Sequence, residues 1–341
     1  MRYLVTGAAG FIGSHLVEAL VAAGHDVVAL DDLSTGKLSN LAAVRDRILF
    51  IRGSVTDRAA CRRAMEGVDY VFHQAALTSV ARSVDEPTAA HEINTAGTLN
   101  VLLVARHTGV RRLVYAGSTA AYGDTAELPN HEDLPPRPLS PYAATKLAAE
   151  EYCKAFSATY ALEIVTLRYF NVFGPRQDPA SPYAAVIPLF IGAALRGAPP
   201  VIYGDGEQTR DFVYVANVVR ANLLACHAPA ERTVGRVFNV GCGAALSINA
   251  LWEKIQKLVG TTMWPRYAPG RPGEVRDSRA CLERIGRAIG YSPDVGLDEG
   301  LRLTIDYYRT AGSGQYHDNA VDEGSLIPPP RGRASRAALR G

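Results

Sequence analysis

Cysteine is scarce in this 341-residue chain, and its pattern excludes two classes of protein at once. The five cysteines (Cys61, Cys153, Cys226, Cys242, Cys281) are odd in number, scattered, and never fall in a C-x-x-C or C-x-x-H cluster. They form neither a disulfide framework nor a metal site, and are expected to be reduced, buried, small hydrophobes of a cytosolic protein. Lysine is equally rare: of 36 basic residues only five are lysines, a bias that a GC-rich genome explains and that makes each lysine conspicuous. Charge of one sign is also lacking. The net charge is +2, which gives no reason to expect a nucleic acid or an anionic membrane as partner. No apolar run reaches the roughly 18 to 20 residues of a membrane span. The chain passes from Met1-Arg2 straight into Tyr3-Leu4-Val5, leaving no room for a signal peptide. A soluble, cytoplasmic, metal-free protein is expected.

What is present is a soluble globule's composition, 48% hydrophobic and 21% charged, with length enough for one large or two modest domains. Tyr3-Leu4-Val5 reads as a short strand. Thr6-Gly7-Ala8-Ala9-Gly10-Phe11-Ile12-Gly13 follows, then a helix to about Ala23. Strand, G-x-x-G-x-x-G and helix together present backbone N–H groups to a pyrophosphate. A second strand, His25–Leu30, ends in Asp31-Asp32, acids placed to accept hydrogen bonds from an adenosine ribose and to repel a 2′-phosphate, favouring NAD over NADP. Strands continue at Arg47–Arg52, Asp69–His73, Val110–Ala116 and Glu163–Tyr169. Between them lie a helix at Asp57–Glu66, capped by Asp57, and a long helical pattern after Pro87 that contains Asn94. Such alternation means a doubly wound parallel α/β sheet, with ligands bound at the carboxyl ends of its strands. The glycine turn, Asp31, Gln74-Ala75-Ala76 and Ser118 all fall at that edge.

Tyr142 and Lys146 stand four apart on a predicted helix, about 6 Å along its axis, so an ammonium can make a nearby phenolate cheaper to form. Taken alone the spacing is weak. Preceded by Ser118 at a strand end, it composes a Ser–Tyr–Lys set. On Thr6–Gly13, His73–Ala76, Ala116–Gly123, Tyr142–Lys146, Arg168–Gly174, Gly204–Val213 and Arg271–Ala280, in that order, the chain resembles the extended short-chain dehydrogenase/reductases. In particular it is similar to the NAD-dependent UDP-glucose/UDP-N-acetylglucosamine 4-epimerases, from Met1 to about Tyr308. The resemblance implies a Rossmann-like NAD-binding domain over 1–172, with 211–240 returning to it. A smaller, interleaved substrate-binding domain would comprise 173–210 and 241–310. The segment 311–341, rich in glycine, proline and arginine, reads as a disordered tail. Family habit implies a homodimer formed by helices beside the triad.

The resemblance also implies roles. Tyr142, as phenolate, would take the proton from the sugar 4-hydroxyl while C4 gives hydride to NAD⁺; Lys146 would draw the tyrosine's pKa toward neutrality, and Ser118 would share the proton. The 4-keto sugar would then turn about its diphosphate and receive the hydride on its other face. Cofactor contacts fall to Gly7, Gly10, Phe11, Ile12, Gly13, Asp31, Asp32, Ser34, Ser54, Val55, Gln74, Ala75, Ala76, Asn94, Tyr142, Lys146 and Tyr169. Substrate contacts fall to Thr78, Ser118, Thr119, Asn171, Val186, Arg210, Arg271, Glu274 and Ser278. The two arginines among these would grip the diphosphate with fork-shaped, permanently charged donors. Two positions depart from the pattern: Glu274 stands where the family usually has aspartate, and Ser54 where an aspartate often contacts adenine, a loss that would loosen NAD.

Related 4,6-dehydratases carry an Asp–Glu pair just after the triad serine or threonine, and the UDP-glucuronate decarboxylases a serine–glutamate pair; here the places hold Thr119 and Ala120. Dehydration remains the alternative chemistry, and a non-enzymatic NAD sensor the alternative class. The position of Ser278 is bulky in enzymes confined to glucose and galactose and small where an N-acetyl group must fit. Ala184–Pro188 and His73–Ala76 likewise resemble the N-acetyl-accepting subgroup. The expected substrates are UDP-N-acetylglucosamine and UDP-N-acetylgalactosamine, with the glucose/galactose pair as a further possibility.

Overall fold

The computed structural model describes residues 1–179, 184–270 and 275–311. β1 (Arg2–Thr6) leads through the glycine turn into α1 (Phe11–Ala22), and β2 (Asp26–Asp31), β3 (Ile48–Arg52), β4 (Tyr70–His73), β5 (Arg112–Ser118) and β6 (Glu163–Tyr169) follow in turn. Between them lie α2 (Arg58–Ala64), α3 (Val80–Asp85), α4 (Pro87–His91), α5 (Gly97–Thr108) and α6 (Pro141–Tyr160). The second half runs β7 (Asn171–Phe173), α7 (Val186–Arg196), β8 (Val201–Tyr203), β9 (Thr209–Arg210), β10 (Phe212–Tyr214), α8 (Val215–His227) and α9 (Ala230–Thr233). It closes with β11 (Val237–Val240), β12 (Leu246–Ser247), α10 (Ile248–Val259), β13 (Arg266–Ala268), α11 (Glu283–Ile289) and α12 (Leu297–Ala311).

Seven strands make one sheet in the order β11-β6-β5-β4-β1-β2-β3, every pair parallel. The reason is written in the strands. Tyr3 to Thr6 and Tyr70 to His73 are buried at every position, the continuous burial that a sheet covered on both faces demands. One face packs on α1, α8 and α11 through Leu16, Val17, Val218 and Ile285, and the other on α2, α5 and α6 through Cys61, Leu102 and Cys153. A third core gathers Phe173, Phe190, Trp252 and Leu301 from β7, α7, α10 and α12. Within it α10 buries Ile248, Leu251, Trp252 and Ile255, a stripe at helical spacing. Ser247 Oγ caps that helix by accepting the Ala250 N–H at 3.2 Å, worth about 1 kcal/mol.

The chain builds β1, β2 and β3 outward to one side, then returns to lay β4 on the other side of β1. That reversal opens the crevice of a doubly wound sheet beside the glycine turn and Gln74–Ala76. Two expectations need correction. The helix read after Pro87 is three pieces, because a π-helical turn at Glu92–Ala96 separates α4 from α5. Asn94 within that turn gives its carboxamide to the Leu77 backbone, accepting from its N–H (2.8 Å) and donating to its carbonyl (3.0 Å). The cysteines are all free, but only Cys61, Cys153 and Cys226 are buried; Cys242 and Cys281 are half-exposed at loop positions. Of the proposed tail, everything past Ala311 lies outside the described residues, as do Arg271 and Glu274.

Candidate active site

The glycine turn is built by close approach. A Cβ on Gly13 would stand 2.0 Å from the Gly7 carbonyl oxygen, and one on Gly7, whose φ is +65°, would stand 2.7 Å from the Ala75 nitrogen. Only glycine permits these contacts. Gly10 precedes α1 in extended conformation and offers no side-chain cap. The N–H groups of the first helical turn, from Phe11 through Gly13, therefore face outward with the positive end of the helix dipole. An anionic bridge such as a pyrophosphate fits that requirement.

Asp31, at the end of β2, is buried and closes the same turn. Its Oδ2 accepts the Ala9 N–H at 2.9 Å and its Oδ1 accepts the Leu33 N–H at 2.8 Å. Burial raises its pKa above the ordinary carboxylate value, against the opposing pull of those N–H groups. Each oxygen keeps a second acceptor position for a ribose hydroxyl. Asp32 is exposed and accepts from the Ser34 N–H at 2.9 Å. Ser54 spends its hydroxyl on Thr56 (2.9 Å), and Val55 packs under Gly97. The run Pro175–Asp178 crosses to this side and is tied down three times. His15 Nε2 meets the Pro175 oxygen at 3.0 Å, Arg176 Nη2 pairs with Glu18 at 2.5 Å, and Lys37 Nζ pairs with Asp178 at 2.7 Å. The run is a strap over α1 and the loop that follows β2.

The Ser–Tyr–Lys set assembles from two elements. Ser118 ends β5 and caps the turn Thr119–Tyr122, its Oγ accepting the Ala120 N–H at 3.2 Å. α6 starts at Pro141 because Ser140 caps it and proline suits the first helical position. Across from its Tyr142 stands Ser118, the side chain that favours the Tyr142 phenolate. Tyr142 is half-buried. Lys146 is buried one turn on, with its ammonium 4.5 Å from the centre of the Tyr115 ring, and burial brings its pKa down to about 8. In the protein alone, burial raises the Tyr142 pKa and Ser118 opposes it.

Other expected cofactor residues cluster at the strand ends. The Gln74 amide donates to the Tyr169 hydroxyl at 3.1 Å, and the Asn222 amide donates to that same hydroxyl at 2.8 Å. Asn222 was not anticipated. A polar residue on the otherwise apolar face of α8, between Val218 and Cys226, was its signal. His73 heads the segment Gln74–Ala76 but does not face the crevice: Nδ1 meets Thr6 Oγ1 at 2.7 Å and Nε2 meets Thr98 Oγ1 at 2.9 Å. Thr98 in turn donates to the Asn94 carbonyl, so His73 carries its proton on Nε2. Burial and then the Lys146 charge lower its pKa to about 3. Asn94 likewise points into the protein, where its amide also meets Thr145 Oγ1 at 3.1 Å. It braces α6 against the loop at Leu77.

On the substrate side Thr119 is half-buried beside Ser118, Thr78 and Asn171 are exposed, Val186 opens α7, and Ser278 is 9% exposed. Arg210 Nη1 donates to the Thr209 oxygen at 2.8 Å and to the Arg276 oxygen at 3.2 Å, a hold that aligns its guanidinium along the loop. The fully buried neighbour Asp211 was missed. Its carboxylate accepts the N–H groups of Cys242, Gly243 and Ala280 at 2.7 to 3.0 Å, pinning together three segments around the site.

A crevice with a glycine turn, a buried acid at a strand end and a Ser–Tyr–Lys set has relatives. Residues 3–241 match the family model described as the NAD dependent epimerase/dehydratase family. A UDP-glucose 4-epimerase of Mycolicibacterium smegmatis is 41% identical over 313 residues, covering 91% of this chain and 99% of that protein. The structure of a UDP-glucose 4-epimerase from Thermotoga maritima with UDP-glucose superposes with a TM-score of 0.87 at 40% identity, covering 91% of this chain and 99% of that one. A UDP-N-acetylglucosamine 4-epimerase from Methanobrevibacter ruminantium, in complex with UDP-N-acetylmuramic acid, gives 0.86 at 40% identity, with 91% and 98% covered.

Proposed function

The chain belongs to the NAD-dependent epimerase/dehydratase family, and on that premise we propose that it is an NAD-dependent 4-epimerase of UDP-N-acetylglucosamine and UDP-N-acetylgalactosamine. The observation that carries the chemistry is the neighbourhood of Ser118: Thr119 and Ala120 follow it half-buried, with no carboxylate between them to expel water from a keto sugar. What supports the sugar is Ser278, small and buried at the position where the family resemblance expects a small side chain in enzymes that accept an N-acetyl group. Relatives at 40% identity include both a glucose and an N-acetylglucosamine enzyme, so overall likeness does not choose between them.

On this reading residues 1–172 and 211–240 form the NAD-binding domain and 173–210 and 241–310 the sugar-binding one. The glycine turn and α1 hold the pyrophosphate, Asp31 the ribose, and Gln74, Tyr169 and Lys146 the nicotinamide end. NAD, when bound, supplies the hydride acceptor for sugar C4 and a positive ring charge beside Tyr142. Tyr142 takes the 4-hydroxyl proton through its phenolate oxygen and returns it after the keto sugar has turned. Ser118 hydrogen-bonds that oxygen throughout, and Lys146 keeps a cation one helical turn away. Arg210 and Arg271 hold the diphosphate while the sugar rotates.

The test is NMR of products from UDP-N-acetylglucosamine, UDP-glucose and dTDP-glucose without added reductant. A gluco-to-galacto equilibrium with the N-acetyl sugar is expected. Replacing Tyr142 by phenylalanine should slow it about 10²- to 10⁴-fold at unchanged NAD content. Turnover of UDP-glucose alone would refute the sugar assignment. A 4-keto-6-deoxy product would replace epimerase by dehydratase, the reaction that the family's name shares.

A further inference from the structure

Below the catalytic pair, α6 carries a third buried polar residue at the same four-residue interval. Glu150 is 1% exposed and receives Arg168 in a two-pronged bond, Nε at 2.9 Å and Nη2 at 2.7 Å. Arg168 lies on β6, where its register partner on β5 is Gly117, the residue before Ser118. A Cβ on Gly117 would first meet Thr166 Cγ2 at 3.0 Å and the Leu167 oxygen at 3.1 Å, with the Arg168 Cγ next at 3.4 Å. Beyond it, the guanidinium carbon sits 4.6 Å from the centre of the Tyr122 ring, which closes the turn that Ser118 caps. The far side of Tyr122 is anchored too, its hydroxyl donating to Asn239 Oδ1 at 2.7 Å.

From this geometry we propose that Arg168 is a positioning residue. One guanidinium clamps the helix that carries Tyr142 and Lys146 to the turn that carries Ser118, and so fixes where Ser118 stands against Tyr142. Stability is a poor reason for the arrangement. Both charges are desolvated, Arg168 Nη1 is buried without a partner of hydrogen-bond geometry, and apolar side chains of similar volume often serve a core better. What an apolar replacement cannot do is reach a carboxylate on α6 and an aromatic face on the turn at once, with planar donors whose direction is fixed.

The inference rests on the Ser–Tyr–Lys reading of the site, but its test needs no sugar. The Tyr142 phenol is titrated in the holoenzyme by its absorbance near 295 nm, as the difference from Tyr142→Phe. Around it stand Ser118 and Tyr115 from β5 and Lys146 on its own helix. Arg168→Lys keeps the charge and loses both the fork and the stacking. It should move the Tyr142 titration to higher pH, because a displaced Ser118 no longer stabilises the phenolate. In a Ser118→Ala background the same change should add nothing further. With substrate, kcat should fall about ten-fold while KM holds, as expected for a sub-ångström misplacement. An unmoved titration, or an equal shift in both backgrounds, overturns the proposal. Should Arg168→Lys fail to fold, Tyr122→Leu leaves the Glu150 pair intact and is read in the same way. A shift that depends on Ser118 in a protein that turns over no UDP-sugar would keep the clamp and remove the proposed reaction.

Discussion

At the scale of single residues the site's pH behaviour turns on Lys146. Burial holds its pKa near 8, so the ammonium proposed to favour the Tyr142 phenolate discharges as pH rises through that value. The kcat profile is expected to fall on its alkaline side near pH 8. Lys146→Arg, whose charge does not titrate in that range, should lift that limb; a limb unmoved by the substitution would assign it to another group. The residues of the catalytic set were legible in the sequence because their chemistry demands particular types at particular spacings. Their supports were not. Arg168, Asp211 and Asn222 act through partners 18 to 69 residues away in the chain, and no local pattern distinguishes an arginine that crosses a sheet from the many that do not.

At the scale of elements, His73 couples β4 to β1 and α5 through two hydroxyls, and it can do so only while neutral. Its pKa lies near 3 in the folded protein, against about 6.5 unfolded, so between those values the unfolded chain binds the extra proton. The stabilisation is complete above pH 6.5 and is lost as pH falls toward 3, at up to about 1.4 kcal/mol per pH unit. Urea midpoints measured from pH 7 to 4.5 should decline more steeply in the native protein than in His73→Asn; parallel slopes would show that other groups set acid lability. The strands follow from short apolar runs bounded by turn residues, continuous because both faces of the sheet are covered, which is why they could be read directly. The π turn could not. It exists because Asn94 bonds to the backbone at Leu77, a tertiary demand that overrides a run of good helical spacing.

At the scale of the whole molecule, the parallel sheet and its reversal between β1 and β4 were implied by strands alternating with helices. The position of the run Pro175–Asp178 was not, since a proline followed by polar side chains says only that regular structure stops. That run meets α1 at His15 and Glu18 and the loop after β2 at Lys37. The Lys37–Asp178 pair is half-exposed and contributes little to stability on its own, but salt should weaken it. Exchange of bound NAD for radiolabelled NAD should therefore quicken with ionic strength in the native protein. It should be fast and nearly salt-independent in Asp178→Ala, whereas equal rates in the two proteins would show that the run does not gate the crevice. A dinucleotide that reached the glycine turn before this crossing closed would leave only when the crossing opened. The protein's cofactor content would then be settled as it folds and kept afterwards, a built-in part rather than a running reading of the nicotinamide pool around it.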